Sequence, residues 1–454
     1  MVITNVIKKQ QVLILLLISL FTTSVTATSQ KLTILTSFSE ADVTIYLTEF
    51  KKLYPNINVR VVNRKTPAAI DYIQSNPSVH PDIFWATSTD AFEVLKLSGD
   101  LQPYFAAQTD QHLMLDGYHV DAQHYYTPFA ISGLGLMYNT NYLRKHDLNI
   151  PSDWYALKQP QYFRHIGMSA PSRSGTTHVI VETILQWDGW HLGWKNLLEI
   201  SGNLATVNAR SFSVIENVES GLFGLGLVID FFGYNSRDRN NPVDFSYFST
   251  SPLLAASVAI LKESQQPQAA KKFIEFLLSP TGQRTLLDKR INRIPIRSDI
   301  DSQKIKKYKR KNFTANKEDT TNGPSFTLDI KRSTARYQLV NALFDEMITF
   351  RIDELNKIWR NIHEVEKILT GKQDHIATSL ITQARALVTQ IPVTEQQSKQ
   401  ASFTQFFQYK RWGRPVSKQQ ARIEMSWKQQ VTLQNIQALE LSNKALLHLK
   451  GITP

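Results

Sequence analysis

The chain contains no cysteine in its 454 residues. That absence excludes disulfides, thiolate metal centres and cysteine nucleophiles together. A chain of this length must then rely on its apolar core, and the roughly 270 residues before its basic tail suffice for two lobes. The sequence also lacks the Gly-x-Ser-x-Gly elbow, the His-Glu-x-x-His pair and the P-loop. "GLFGLG" (Gly221 to Gly226) spaces its glycines wrongly for a dinucleotide loop and reads better as strand packing. These absences speak against an enzyme and leave no cofactor to expect.

Long apolar runs are scarce too. "VLILLLISLF" (Val12 to Phe21) follows Lys8 and Lys9 and precedes the small residues Val25, Thr26 and Ala27. Ten apolar residues are too few to span a bilayer. The pattern predicts a cleaved export signal over residues 1–27 and a mature chain starting at Thr28. No later stretch is apolar enough for a membrane helix, so the expected product is exported and not itself membrane-spanning.

The formal charge is +12, but the basic excess lies in the signal and after residue 300. Residues 28–300 are close to neutral. The high pI therefore belongs to the tail and gives no reason to expect a nucleic-acid partner.

What is present from Lys31 onward is an alternation of strand and helix. "KLTILT" and "INVRVVN" read as strands, and "PDIFWAT" as a third, with apolar residues at helical spacing between them. Such β-α-β-α-β order predicts a mostly parallel sheet with ligands at its carboxyl ends. Those ends carry hydroxyls just ahead of helices: Thr36, Ser37 and Ser39, then Thr87, Ser88 and Thr89. "SAPSRSGTTHVIV" (Ser169 to Val181) repeats the arrangement with Arg173, and "TVNARSFSVIENV" repeats it with Arg210. One such junction is an ordinary cap. Four of them, two carrying an arginine, predict a shared cleft facing an anion.

The order of several segments resembles the bacterial extracellular solute-binding proteins, family 1. They are "TPFAISGLGLMYNTNYL", "SAPSRSGTTHVIVETI", "VESGLFGLGLVIDFF", "QPQAAKKFIEFLLSPTGQ" and "INRIPIRSDI". The resemblance implies an α/β, two-lobe periplasmic-binding-protein-like fold (type II) with a C-terminal helical extension. Residues 28–128 plus 246–300 would form lobe 1, and 129–245 lobe 2. A polar linker (301–330) and a helical extension (331–454) would follow.

The implied function is capture of a small anionic, phosphoglycerate-like solute in the periplasm, for transport or inducer sensing. The partner would be a membrane permease or a membrane sensor kinase. Arg173 and Arg210 would be the cationic contacts. Ser37, Thr87, Ser88, Ser174, Gly175 and Thr176 would supply hydroxyl and amide donors, and Asp230 would accept from the ligand. A ferric-binding branch of the family carries two tyrosines where this chain has Phe231 and Phe232, which cannot ligate iron. Ferric binding remains the alternative, as does an interaction protein acting through its tail on a membrane sensor kinase.

Two further stretches call for a reading. His112, Asp116, His119, Asp121 and His124 crowd together without a firm ligand spacing, so they read as a polar loop and not a metal site. In the tail, Leu339, Leu343, Met347, Phe350, Ile358, Ile362 and Val365 recur at helical spacing and predict helices packed partly on the core.

Overall fold

The computed structural model describes residues 30–75, 80–107, 121–248, 251, 253–300, 328–409 and 415–451. The expected export signal, residues 301–327 of the expected polar linker and residues 112–120 of the histidine-rich loop lie outside them.

Among the described residues eleven strands form one mixed sheet, eight of them in the order β2-β1-β3-β10-β5-β8-β6-β7, with β9 and β11 pairing on β5 and β4 on β10. They are β1 (Gln30–Thr36), β2 (Ile57–Asn63), β3 (Ile83–Ala86), β4 (Leu101–Gln102) and β5 (Thr127–Asn139). Then come β6 (Ile166–Ser169), β7 (Leu204–Asn208), β8 (Leu225–Ile229), β9 (Val243–Ser246), β10 (Leu253–Leu261) and β11 (Ile294–Pro295). β1 pairs in parallel with β2 and β3, and β6 in parallel with β7 and β8. Between these parallel blocks runs β5, antiparallel to its neighbours. Its first half pairs with β10 up to Gly133, and its second half pairs with β8 from Leu134. The hand-over from one lobe to the other thus falls inside β5, a few residues past the 128/129 border expected from the sequence.

In the first lobe the helices are α1 (Glu40–Leu53), α2 (Thr66–Gln74) and α3 (Thr89–Leu97). α1 shows why they start where they do. Ser39 caps it by accepting from the Asp42 amide, Glu40 and Asp42 occupy its first turn, and Lys51 and Lys52 its last. Trp85 centres the core, edge-on to Phe38 with ring centroids 4.7 Å apart and to Phe273 at 5.4 Å.

The second lobe adds α4 (Gly175–Trp187), α5 (Trp190–Gly202), α6 (Ser211–Glu219) and α7 (Asp230–Asp238). A Cβ on Gly226 would lie 2.9 Å from Val214 Cγ1, so the glycine of "GLFGLG" lets α6 pack on β8. α8 (Pro267–Leu278) returns to the first lobe.

The extension includes α9 (Ile330–Ala335), α10 (Tyr337–Phe344), α11 (Ile352–Leu369), α12 (His375–Val388) and the long α13 (Lys418–Leu449). It does not lie loosely on the surface. Leu339, Leu343 and Trp359 share one buried cluster with Trp190, Trp194 and Leu197 of the second lobe. Asn356 Nδ2 donates to the carbonyls of Gly202 and Leu204 at 3.0 and 3.1 Å. Trp190 Nε1 donates to the Val393 carbonyl at 2.8 Å.

The same extension reaches the first lobe. Tyr337 sits in that lobe's cluster with Phe84 and Phe92, while Ser333 Oγ donates to Asp90 Oδ2 at 3.1 Å. Next to it, Arg336 forks onto Glu182 of the second lobe at 2.9 and 2.8 Å. The extension therefore ties both lobes together through buried polar contacts.

Candidate ligand-binding site

Between the lobes lies a cavity of about 300 Å³. From the first lobe it takes the ends of β1 and β2 and the starts of α1 and α2. From the second it takes the starts of α4, α6 and α7. The starts of five helices, α1, α2, α4, α6 and α7, thus border one space, and a helix start favours negative charge.

Local hydrogen bonds fix these loops. Thr36 Oγ1 donates to the Trp85 carbonyl at 2.7 Å and accepts from the Phe38 amide at 3.1 Å, joining the ends of β1 and β3. Asn63 Nδ2 donates to the Phe38 carbonyl at 2.5 Å. Ser174 caps α4 by accepting from the Thr177 amide at 3.1 Å, and its hydroxyl lies 2.8 Å from that of Ser211 at the start of α6. The hydroxyl loop is thus an ordinary cap and a cavity wall at once.

The lobes touch beside the cavity. Lys65 Nζ, at the start of α2, donates to the Ala209 carbonyl at 2.9 Å, beyond the end of β7. A Cβ on Gly175 would stand 2.9 Å from Ser88 Cβ and Oγ and 3.0 Å from Thr66 Cβ. Only glycine permits that approach without a shift.

The lining is strongly cationic. Arg64, Lys65, Arg173, Arg210 and Arg293 border the cavity against a single carboxylate, Asp42. Among the described residues, none of the five forms an ion pair with a carboxylate. Lys65 is pulled below the usual lysine value, first by burial and then by Arg210 and Arg173. Burial pushes the Asp42 carboxyl up, with Arg293 opposing.

Arg293 is the most constrained of the five. Only 3% of it is exposed. Its guanidinium lies between two rings, 4.2 Å from the Phe38 centroid and 3.9 Å from that of Phe231. Nη1 donates to Thr87 Oγ1 at 3.3 Å. Burial lowers its pKa, against the pull of Tyr46, Asp42 and Asp230. A guanidinium has five N–H donors, and most of this one's are left over. Burying such a charge unpaired costs several kcal/mol, a cost that an anion in the cavity would offset.

A model of the family described as "Bacterial extracellular solute-binding protein" matches residues 79–317, more than half of the chain. The chain belongs to that family. The phosphoglycerate transport regulatory protein PgtC of Salmonella typhimurium is 36% identical over 282 residues. That alignment covers 62% of this chain and 66% of the relative. The major ferric iron-binding protein of Neisseria gonorrhoeae is more distant, 24% identical over 54% of this chain and 78% of its own length. Among solved structures, the periplasmic binding protein AfuA from Actinobacillus pleuropneumoniae, with fructose-6-phosphate bound, has a TM-score of 0.62 at 18% identity. That match covers 70% of this chain and 98% of AfuA. Iron-bound HitA from Pseudomonas aeruginosa gives 0.53 at 16% identity, over 60% and 88%. Both likenesses establish the two-lobe fold. The family and fold of this solute-binding protein are those of binding and regulatory proteins rather than enzymes.

Of the residues expected from the sequence, Ser37, Thr87, Arg173, Ser174, Gly175, Thr176 and Arg210 all line the cavity. Two expected contacts do not. Ser88 lies behind the wall, its hydroxyl spent on Asp90 within α3. Asp230 is buried, and both its oxygens are occupied by protein donors: the Gly133 and Phe231 amides at 2.7 Å and the Tyr247 hydroxyl at 2.6 Å. It organises the lobe crossing instead of accepting from a ligand.

The sequence reading passed over Arg64, Lys65 and Arg293. The first two belong to a fifth strand-to-helix junction, "NRKT", built to the same rule as the four that were counted. The Tyr125–Tyr126 pair lies elsewhere: the Tyr126 hydroxyl donates to Glu93 at 2.7 Å inside the first lobe. Phe231 and Phe232 do line the cavity. From the histidine-rich stretch, Asp121 is held by the Tyr125 amide at 2.7 Å and by Lys96 at 2.5 Å. Among the described residues no helix is long and apolar enough to cross a membrane.

Proposed function

We propose that this chain captures a small phosphorylated anion of the phosphoglycerate type in the periplasm, without chemical change. It would report occupancy to a membrane permease or a membrane sensor kinase. The observation that carries the reading is Arg293, a buried cavity-lining guanidinium without a carboxylate partner. Arg173 and Arg210 face it from the second lobe, and Arg64 and Lys65 from the first. Such a set can neutralise a phosphate and a carboxylate on one ligand, with bidentate contacts from the arginines. A volume of about 300 Å³ is at the small end for ligand sites, which favours a three-carbon acid over a sugar. The PgtC relative, named for phosphoglycerate transport regulation, and the sugar-phosphate complex of AfuA support the same class. Ligand binding would favour the closed lobes by contacting both at once.

A thermal-shift screen tests this with 3-phosphoglycerate, phosphoenolpyruvate, fructose 6-phosphate, a phosphonate and ferric citrate. The reading expects stabilisation by the phosphorylated acids, strongest at low salt. Stabilisation by ferric citrate alone, with a visible tyrosinate-to-iron band, would replace it with the ferric alternative. No response to any compound would favour a protein that works through its extension.

A further inference from the structure

The cavity has one wall that the two lobes do not supply. Tyr409, from the C-terminal extension, lines it together with Arg173 and Arg64. Its placement is not accidental to a loose segment. Two residues earlier, Phe407 is buried and stacks on Trp427 of α13, with centroids 5.2 Å apart and planes 10° from parallel. Between them, Gln408 is gripped at both backbone groups by one side chain. Its amide donates to Gln420 Oε1 at 3.1 Å, and its carbonyl accepts from Gln420 Nε2 at 3.3 Å. Gln420 is itself fully buried at the start of α13 and donates to Glu424 at 3.0 Å.

The extension thus spends a stacked aromatic pair and a buried amide on holding the residue before Tyr409. The tyrosine that results is half-buried, and among the described residues its hydroxyl makes no hydrogen bond. Burial and then the Asp71 carboxylate push its pKa up, with Asp345 adding and the nearby Arg173 charge opposing. A phenol in that position is a donor suited to a phosphate or carboxylate oxygen that Arg173 already attracts.

We propose that Tyr409 is a ligand-recognition residue delivered by the extension, so that the bound anion is held by both lobes and by the tail. This rests on the anion reading above. It makes the extension part of the binding site and gives occupancy a direct route into the helices outside the lobes. Gln420 is then a positioning residue, acting only through Tyr409.

Calorimetry on the full-length mature chain, with 3-phosphoglycerate as the probe, tests the proposal. Tyr409→Phe removes one hydroxyl and should weaken binding about tenfold, the usual effect of losing a hydrogen bond to a charged group. Its ligand-free melting temperature should stay at the wild-type value. Gln420→Ala should weaken binding in the wild-type background but add nothing in the Tyr409→Phe background, which a merely structural role would not produce. If the wild type binds and both variants bind equally well, the proposal is overturned while the anion reading stands. If the wild type binds none of the phosphorylated probes, both fall together.

Discussion

The hydroxyl of Tyr247 donates to Asp230 Oδ2 at 2.6 Å, the oxygen that also accepts the Gly133 amide at 2.7 Å. Gly133 lies where β5 passes from one lobe to the other, and Tyr247 lies in the return connection between β9 and β10. One buried carboxyl therefore pins both lobe crossings to the start of α7.

Burial pushes the Asp230 pKa from 3.8 up to about 6, with the Tyr247 hydrogen bond the largest opposing effect. A raised folded-state pKa means that the native carboxyl holds its proton more tightly than the unfolded chain does. Stability from this group is therefore greatest below the unfolded value and falls as pH rises through that window. Denaturant melts of wild type and Asp230→Asn, from about pH 4 to about pH 7, should show it. The wild type should lose up to roughly 3 kcal/mol relative to the variant across the range. Parallel curves would mean that Asp230 titrates normally.

At Gly175 the two lobes approach closely. A methyl group there would meet Ser88 and Thr66 at about 3 Å, and the lobes relieve it by parting. Gly175→Ala should lower affinity for 3-phosphoglycerate about tenfold, by making the closed state harder to reach. Solution scattering with saturating 3-phosphoglycerate should show a larger radius of gyration than for wild type. Equal radii and equal affinities would show that closure does not bring these residues together.

The extension completes the second lobe's core. Trp359 is buried against the α5 helix, and a Cβ on Gly202 would lie 2.1 Å from its Cδ1. Trp359→Ala should cost about 3–5 kcal/mol, in the range for large-to-small core changes. A chain ending near Asp299 would uncover Trp190, Trp194 and their neighbours and should aggregate. A soluble, cooperatively melting truncated chain would show that the lobes fold without the tail.

Much of this was legible in the sequence, for a local reason. A strand, a hydroxyl and a helix start are neighbours in the chain, so the junctions at Ser37, Thr87, Arg173 to Thr176 and Arg210 announce their wall positions directly. Apolar residues at helical spacing likewise announced the helices of the tail. What pairing decides was not legible. Asp230 sits at a strand end like the others, but its oxygens are consumed by Gly133 and Tyr247, which only the crossing brings near. Arg293 reads as one more basic residue near a short strand until Phe38 and Phe231 are seen on either side. Tyr409 is farther still: nothing near it in sequence suggests a cavity, because Phe407, Gln408 and α13 carry it there.

The most direct measurement of the anion account is calorimetry on Arg293→Met with 3-phosphoglycerate, beside Arg173→Ala and Arg210→Ala. Losing either exposed arginine should weaken binding by roughly 2 kcal/mol, about thirtyfold. Losing Arg293 should weaken it more than a hundredfold, because a buried charge-assisted contact is lost. The ligand-free Arg293→Met protein should be as stable as wild type or more so, since an unpaired buried charge has been replaced by an apolar chain of similar length. Unchanged affinity in Arg293→Met, or a large loss of stability without ligand, would contradict the account: the arginine would then be a structural strut and the cavity not an anion site.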